Sequence, residues 1–107
     1  MATSIIKGPQ RATVGPLTFT REGRFVALTS AWEPKVSANE ISYKAIGTIP
    51  TGMRPTSNVY IDALFGNTKN GSGTIEIKPD GTVGVATNAS TGTVTNVILW
   101  ANGIYAL

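Results

Sequence analysis

The sequence contains no cysteine and no histidine, and charged residues are scarce. These absences exclude a Ser-His-Asp triad, a thiol nucleophile, a disulfide framework and a zinc site of the usual nitrogen and sulfur type. Only 14% of the residues are charged, against about 25% in an average soluble protein. A carboxylate-only hydrolase stays open because glycosidases need just two suitably separated acids, but no motif supports the six acids present.

Long apolar runs and phosphate-binding loops are also missing. No stretch approaches the ~18 apolar residues of a membrane helix, and MATSIIKGPQ lacks the basic head and apolar block of a signal peptide. The nine Lys and Arg are scattered from Lys7 to Lys78, whereas nucleic-acid binders usually cluster their positive charge. There is neither a Walker loop nor an EF-hand pattern. We therefore expect no cofactor, no metal, no nucleic-acid partner and no membrane insertion.

The composition that remains is typical of a β-protein. Threonine occurs fifteen times and glycine twelve, and Gly or Pro interrupts nearly every window long enough for a helix. Short runs bounded by turn residues recur at about the 8 to 12 residue spacing of sandwiches and barrels. We predict one all-β domain over residues 1–107, an antiparallel β-sandwich or Greek-key barrel, with residues 1–15 as a linker or a boundary with a longer protein. The predicted strands are 3–7, 16–20, 24–30, 40–47, 58–65, 73–78, 82–87, 93–101 and 103–106.

Four segments predict turns between these strands. In GTIEIKPDGTVGVAT, Pro79-Asp80-Gly81 predicts a hairpin turn, with Ile75 and Ile77 on one face and Val83 and Val85 on a face of the return strand. Glu22-Gly23 predicts a second turn, Asn102-Gly103 a third, and GNTKNGSG at residues 66–73 a hairpin loop.

The segment GTIPTGMRPTSNVYIDALFG predicts a rigid entry into a strand. Pro50 and Pro55 restrict the backbone, so we expect them to end one strand and begin the next, with Arg54 at a sheet end. Period-two alternation then predicts a split of the strand between two faces. One face carries Val59, Ile61 and Ala63, and the other carries Asn58, Tyr60, Asp62 and Leu64.

Aromatic and charged side chains supply the candidate binding residues. An indole offers a flat apolar face for a sugar ring and an N–H to orient it. Trp32 lies beside polar and proline residues that indicate a strand end or a loop, whereas Trp100 belongs to the apolar run VILW, which favours core or subunit packing. Tyr60, Asp62 and Arg54 could form a small polar site with one aromatic wall, since carboxylates and guanidinium groups suit sugar hydroxyls.

Three quoted segments carry a family resemblance: AWEPKVSANEISYKAIGTIPTGMRPTSNVYIDA, GSGTIEIKPDGTVGVAT and the closing VILWANGIYAL. Together they cover about residues 25–107. This succession resembles the C-terminal head domains of bacteriophage receptor-binding proteins and tail fibres, and is most similar to those of siphophages of lactic acid bacteria and related Gram-positive hosts.

The resemblance implies a non-enzymatic adhesin. It implies a compact β head that assembles as a homotrimer at the distal tail or baseplate of the virion, is joined to other tail proteins through an upstream region, and binds host cell-wall saccharide. Such heads place their saccharide sites near subunit boundaries, often with a tryptophan and polar side chains. We therefore predict saccharide binding by Trp32, Arg54, Tyr60 and Asp62.

Three alternatives remain open from the sequence. A monomeric carbohydrate-binding module would share the β architecture and the aromatic recognition. A structural decoration domain of a phage particle would use its aromatic residues only for subunit packing. An enzyme acting on cell-wall polymer is the least favoured of the three.

Overall fold

A computed structural model describes residues 10–66, 71–88 and 91–107 of the chain. The protein is an all-β sandwich or barrel with 65% of its residues in strands, which confirms the predicted fold class. Within the described residues the helical structure is one 3-10 turn at Thr51–Met53. The strands are β1 (Gln10–Val14), β2 (Leu17–Glu22), β3 (Phe25–Ser30), β4 (Val36–Glu40), β5 (Lys44–Thr48), β6 (Val59–Gly66), β7 (Gly71–Ile77), β8 (Thr82–Thr87), β9 (Val94–Trp100) and β10 (Asn102–Ala106).

The strands form two sheets. The four-stranded sheet has the order β1-β2-β3-β10, and the six-stranded sheet has the order β4-β9-β6-β7-β8-β5. A short parallel pairing between β4 and β8 joins the two sides of the larger sheet, so five of its strands close on themselves like a barrel. The larger sheet therefore presents a curved outer surface crossed by β9, β6, β7, β8 and β5.

The core lies between the two sheets and follows the period of two. Alternate residues of paired strands point inward, as the sequence pattern predicts. The largest fully buried side chains come from both sheets and from the segment around the 3-10 turn: Leu17, Phe19, Val26, Leu28, Ile49, Met53, Phe65, Ile75, Ile77, Val83, Val85 and Leu99.

The hairpin predicted at Pro79-Asp80-Gly81 is confirmed. Ile75 pairs with Val85 and Ile77 with Val83, and all four side chains are buried. The amide of Gly81 donates to the carbonyl of Lys78 at 2.9 Å, and Gly81 has a φ of +92°. Glycine is required there because an L side chain rarely adopts a positive φ.

The segment between Pro50 and Pro55 separates two strands as predicted, and it also fastens the two sheets together. Met53 is fully buried, and its carbonyl accepts a 2.7 Å hydrogen bond from the hydroxyl of Tyr105 on β10. Nε of Arg54 donates to the carbonyl of Ile49 at 3.0 Å, while the Ile49 amide donates to Gly81. The two prolines thus position an anchor between β10 and the β7–β8 turn.

The single strand predicted at 40–47 is wrong, because the structure has β4 and β5 there. Ile41 lies between them at a φ of +59°, which reverses the chain. The sequence VSANE looks polar, yet Val36 and Ala38 alternate into the core, so a strand forms where none was predicted. The polar residues of β4 face outward, so the alternation of buried residues is hard to recognise in the sequence.

The hairpin predicted at Asn102-Gly103 is also wrong. β10 begins at Asn102 and pairs with β3, so Ala101 alone carries the chain from one sheet to the other. A Cβ at Gly103 would lie 2.8 Å from Cδ1 of Ile61. This glycine therefore permits a close approach between the sheets rather than a turn.

The prediction that residues 1–15 form a linker is wrong for its last part. β1 pairs with β2 along its whole length, from Gln10 opposite Arg21 to Val14 opposite Leu17. The predicted strand 3–7 lies outside the described residues. A turn forms close to the predicted Glu22-Gly23. Glu22 pairs with Phe25, so the two-residue loop consists of Gly23 and Arg24, one residue further along the chain.

Candidate functional site

The outer surface of the six-stranded sheet carries two of the side chains predicted to bind, Tyr60 and Asp62. As expected from the alternation in β6, Tyr60, Asp62 and Leu64 are exposed there. Asp62 lies opposite Thr74 on β7, and Leu64 lies opposite Trp100 on β9. Side chains from three adjacent strands therefore meet on one surface, which we call the aromatic face.

Two tryptophans form one end of the aromatic face. Trp100 is 41% exposed, so packing in the core, one of its two expected positions, is wrong, while packing against another subunit stays a prediction. Trp32, in the loop between β3 and β4, is 66% exposed and meets Trp100 edge to face, with ring centroids 5.5 Å apart. The Trp100 indole lies over Gly66, where a Cβ would come within 2.6 Å of its Nε1 atom. The sheet thus has a glycine where the indole needs room.

A depression of about 610 Å³ lies beside the tryptophans, and we call it the indole depression. Strand residues form its floor, and Asp62 offers a carboxylate at its surface. It is lined by Asp62, Ala63, Leu64, Ser72, Gly73, Thr74, Asn88, Trp100, Ala101 and Asn102.

A hydrogen-bonded cluster holds the polar rim of this depression in place. Nδ2 of Asn88 donates to Oγ of Ser72 at 2.6 Å, and Oγ1 of Thr91 lies 3.0 Å from Oδ1 of Asn88. The backbone amide of Ser72 donates to Oγ1 of Thr91 at 3.0 Å. Because the Ser72 hydroxyl accepts a hydrogen bond from Asn88, its own proton is available to a ligand.

Two tyrosines form the other end of the aromatic face. Tyr43 and Tyr60 have ring centroids 6.2 Å apart, and both are partly exposed. Tyr43 lies over Gly84: a Cβ added at Gly84 would come within 3.3 Å of the Tyr43 Cβ. The Tyr43 hydroxyl faces the side chain of Thr74. Burial, assisted by the nearby Glu76 carboxylate, raises the pKa of Tyr43, so this hydroxyl stays protonated at neutral pH.

A second depression of about 340 Å³ lies beside Tyr43, and we call it the tyrosine depression. It is lined by Ile41, Tyr43, Thr74, Ala86, Thr87 and Asn88. The buried Ala86 lies at its floor. Thr74 and Asn88 also line the indole depression, so the two depressions are neighbours on one surface.

The charge of this surface is low and negative. Asp62 is the only ionised side chain among the described residues that line the two depressions. The other acid on the face, Glu76, is 8% exposed, with Oε1 3.9 Å from Nζ of Lys78. Lysine and arginine are absent from the described lining of both depressions.

The structure brings together three of the four predicted site residues. Asp62 lines the indole depression, Trp32 joins it through Trp100, and Tyr60 lies beside Tyr43. Arg54 lines neither depression, because its guanidinium group lies against Gly81 and bonds to the Ile49 carbonyl. The structure thus places Arg54 in the anchor between strands, apart from the other three residues.

Several residues of the aromatic face were missed by the sequence analysis. Ser72, Thr74 and Asn88 are common in loops and edge strands, and Tyr43 fell inside a strand that was predicted with the wrong bounds. Their position beside Asp62 depends on the order β6-β7-β8-β5, which a single sequence does not specify.

Neither a group of metal ligands nor a membrane-spanning helix is present in the described parts of the chain. No three acidic side chains there group in a way that could hold a metal ion. No helix within those parts has the length and apolar character needed to cross a membrane. No protein-family model matches the chain, and no curated protein matches it in sequence.

Proposed function

We propose that the chain is a non-enzymatic adhesin, the head domain of a bacteriophage receptor-binding protein or tail fibre, which binds host cell-surface saccharide. The observation that carries the proposal is the exposed pair of Trp32 and Trp100 beside the indole depression and the carboxylate of Asp62. The family resemblance of the sequence supplies the biological setting, at the distal tail or baseplate of the virion.

The chemistry of the aromatic face suits a sugar. A pyranose presents a ring face of C–H groups, which packs against an indole, and an edge of hydroxyls, which need hydrogen-bond partners. Asp62 accepts two or more such bonds, and charge-assisted bonds of this kind are stronger than neutral ones. Ser72, Thr74 and Asn88 supply neutral donors and acceptors around the same depression. Apolar and polar contacts are thus available within one site.

Binding, rather than hydrolysis, is the role we assign to Asp62. Glycosidases use a pair of carboxyl groups on opposite sides of the scissile bond. The nearest acid on the face, Glu76, is buried under the tyrosine end and close to Lys78, which leaves Asp62 as the exposed carboxylate of the depression. Release of shortened products from wall polymer, abolished in Asp62→Asn, would contradict this assignment.

Assembly as a homotrimer is part of the proposal. The outer surface of the four-stranded sheet exposes Phe25 at 56% and Ile104 at 64%, which is apolar area suited to a second copy of the chain. Linked copies can raise avidity about 10²- to 10⁴-fold over one site, so each head needs only a weak affinity. A monomer in solution would favour a carbohydrate-binding module instead.

The experiment that tests the proposal is titration calorimetry with wall polysaccharides isolated from a panel of lactic acid bacteria and related Gram-positive species. We expect binding of at least one polysaccharide, lost in Trp100→Ala and in Asp62→Ala. Phe25→Ala is the matched control when the probe is a fragment short enough to engage one head, because it removes an exposed aromatic ring from the opposite sheet and avidity then plays no part. Tight self-association without binding to any wall polysaccharide would instead indicate a structural decoration domain.

A further inference from the structure

We infer that the aromatic face binds a chain of about four uncharged sugar units, laid across the strands from the indole depression to the tyrosine depression. This inference rests on the proposed function, and it specifies the ligand of the same site. It differs from binding of a single terminal sugar beside Trp100.

The continuity of the surface is the first support. Thr74 lies between Asp62 on β6 and Ala86 on β8, and it lines both depressions together with Asn88. A ligand that fills the first therefore reaches the second without leaving the sheet.

The length of the groove follows from the strand order. From Trp100 on β9 the face crosses β6, β7 and β8 before it reaches β5, which Tyr43 immediately precedes. Neighbouring strands lie ~4.8 Å apart, about the length of one sugar unit, so the path of ~19 Å along the curved surface from β9 to β5 matches about four units. Aromatic rings stand at both ends of this path, and hydrogen-bonding side chains lie between them.

The backbone at Ile41 is the second support. A φ of +59° is an outlier for a β-branched residue, and such strained conformations cluster at ligand sites. The Ile41 side chain is 69% exposed at the wall of the tyrosine depression, so core packing does not account for its position. Its amide donates to the Thr87 carbonyl at 2.8 Å, which holds the wall in place.

The charge of the groove selects the class of sugar chain. Asp62 is the single ionised group among the described lining residues, and it would repel a phosphodiester placed in the indole depression. A neutral chain can donate its hydroxyl protons to the same carboxylate. The described lining of the groove is therefore complementary to an uncharged saccharide and opposed to a phosphate-bearing one.

The test is a length series measured by titration calorimetry on the full chain. The probes are size-fractionated neutral fragments of one to six units from a wall polysaccharide that binds, and phosphodiester-linked fragments of the same lengths. We expect affinity to rise about tenfold or more from one unit to four, equivalent to about 1.4 kcal/mol or more, and then to level off. The neutral fragments should bind more tightly than the phosphodiester fragments.

Three variants locate the two ends of the groove. Tyr43→Ala should remove the gain from the third and fourth units while leaving the affinity for one or two units unchanged. Ile41→Gly, which relieves the backbone strain and removes the same wall, should do likewise, so the result does not depend on one variant. Trp100→Ala should weaken fragments of every length.

Two results would overturn the inference while the proposed function stands. One is equal affinity for one unit and for four, and the other is tighter binding of the phosphodiester fragments. Absence of binding to every wall polysaccharide would overturn the proposed function and this inference together.

Discussion

The two outer surfaces of the sandwich both expose large apolar side chains but arrange them differently. On the six-stranded sheet, aromatic rings stand beside Asp62, Thr74 and Asn88 around depressions of about 610 and 340 Å³. On the four-stranded sheet, Phe25 and Ile104 flank a smaller depression of about 210 Å³. The exposure of apolar side chains alone therefore does not distinguish the two surfaces.

The difference lies in the spacing of the hydrogen-bonding groups. A hydroxyl-rich ligand must exchange its bonds with water for bonds with the protein, and of these two surfaces the aromatic face has more polar groups around one depression. The surface around Phe25 and Ile104 offers apolar area bordered by Thr20 and Glu22, which suits another protein surface. We therefore propose a saccharide as the partner of the first surface and a second copy of the chain as the partner of the second.

The largest expected effect separates the two surfaces directly. Trp100→Ala removes an indole that is half exposed, so we expect saccharide affinity to fall about 10- to 100-fold, or about 1.4 to 2.8 kcal/mol, with little change in stability. Phe25→Ala should leave the affinity for soluble monovalent fragments within about twofold. Calorimetric titration and thermal unfolding of both variants check the pair, and equal losses would erase the distinction between the surfaces.

Tyr105 connects the two sheets, and its replacement should weaken the whole fold. Tyr105→Phe removes the hydrogen bond to the Met53 carbonyl, so we expect a loss of about 1 to 2 kcal/mol in the free energy of unfolding at pH 7. Denaturant titration measures this loss. Stability unchanged by the substitution would show that the bond does not fasten the sheets.

The same tyrosine predicts a pH dependence. Burial raises the pKa of Tyr105 to about 12, against 10.0 when unfolded, so the folded state holds this proton more tightly. Its contribution is therefore complete below pH 10 and is lost as the pH rises toward 12, a decrease of up to about 2.7 kcal/mol. Unfolding of wild type and Tyr105→Phe between pH 9 and 12 should show the steeper decline in wild type.

Gly66 tests whether the aromatic face requires the observed position of Trp100. A methyl group at residue 66 would collide with Nε1 of Trp100, so Gly66→Ala should displace the indole and weaken saccharide binding by about threefold to tenfold. Gly23→Ala is the control for a loss of stability without a clash: the hairpin glycine on the other sheet has open space around it, but its φ of +60° strains an alanine, so stability should fall while saccharide affinity stays unchanged. Unchanged affinity and tryptophan fluorescence in Gly66→Ala would contradict the assigned position.

Substitutions on the apolar surface of the four-stranded sheet should change the assembly of the chain and leave saccharide affinity unchanged. The double substitution Phe25→Ser and Ile104→Ser should lower the solution mass from that of a trimer toward the 11.2 kDa chain, without changing the affinity for a soluble fragment. Light scattering coupled to size exclusion measures the mass. A trimer that survives the double substitution would place the contact on another surface.

The smallest expected effect concerns neither surface. Asp80 in the β7–β8 turn accepts a 2.9 Å bond from the Thr82 amide, and this bond holds the pKa of its carboxylate below the usual value. The resulting stabilisation is present above the ordinary pKa of an aspartate and is lost as the pH falls through the lowered one. Asp80→Asn should therefore lower Tm slightly at pH 6 and leave saccharide binding unchanged.

Local patterns in the sequence predict much of the fold. Alternation in β6 separates the buried Ile61 from the exposed Asp62, and Pro79-Asp80-Gly81 specifies a turn, because both depend on adjacent residues only. The role of Gly103 cannot be predicted from such local patterns, because this glycine makes room for the side chain of Ile61, which is distant in sequence. The candidate site could be predicted only in part. Asp62 and Tyr60 share a strand, so the alternation in β6 places them on one face, whereas Tyr43 and Thr74 lie beside them because of the strand order, which the sequence pattern does not give.

The most direct test of the central claim uses the two indole groups as reporters. Trp32 and Trp100 are the only tryptophans in the sequence, and they contact each other at the proposed site. In a nitrogen-proton NMR titration with neutral wall-polysaccharide fragments, both indole N–H signals and the amides of β6 and β7 should shift, while the amides around Phe25 and Ile104 stay in place. Shifts confined to β3 and β10, or binding that leaves both indole signals unmoved, would contradict the claim that the aromatic face is the saccharide site.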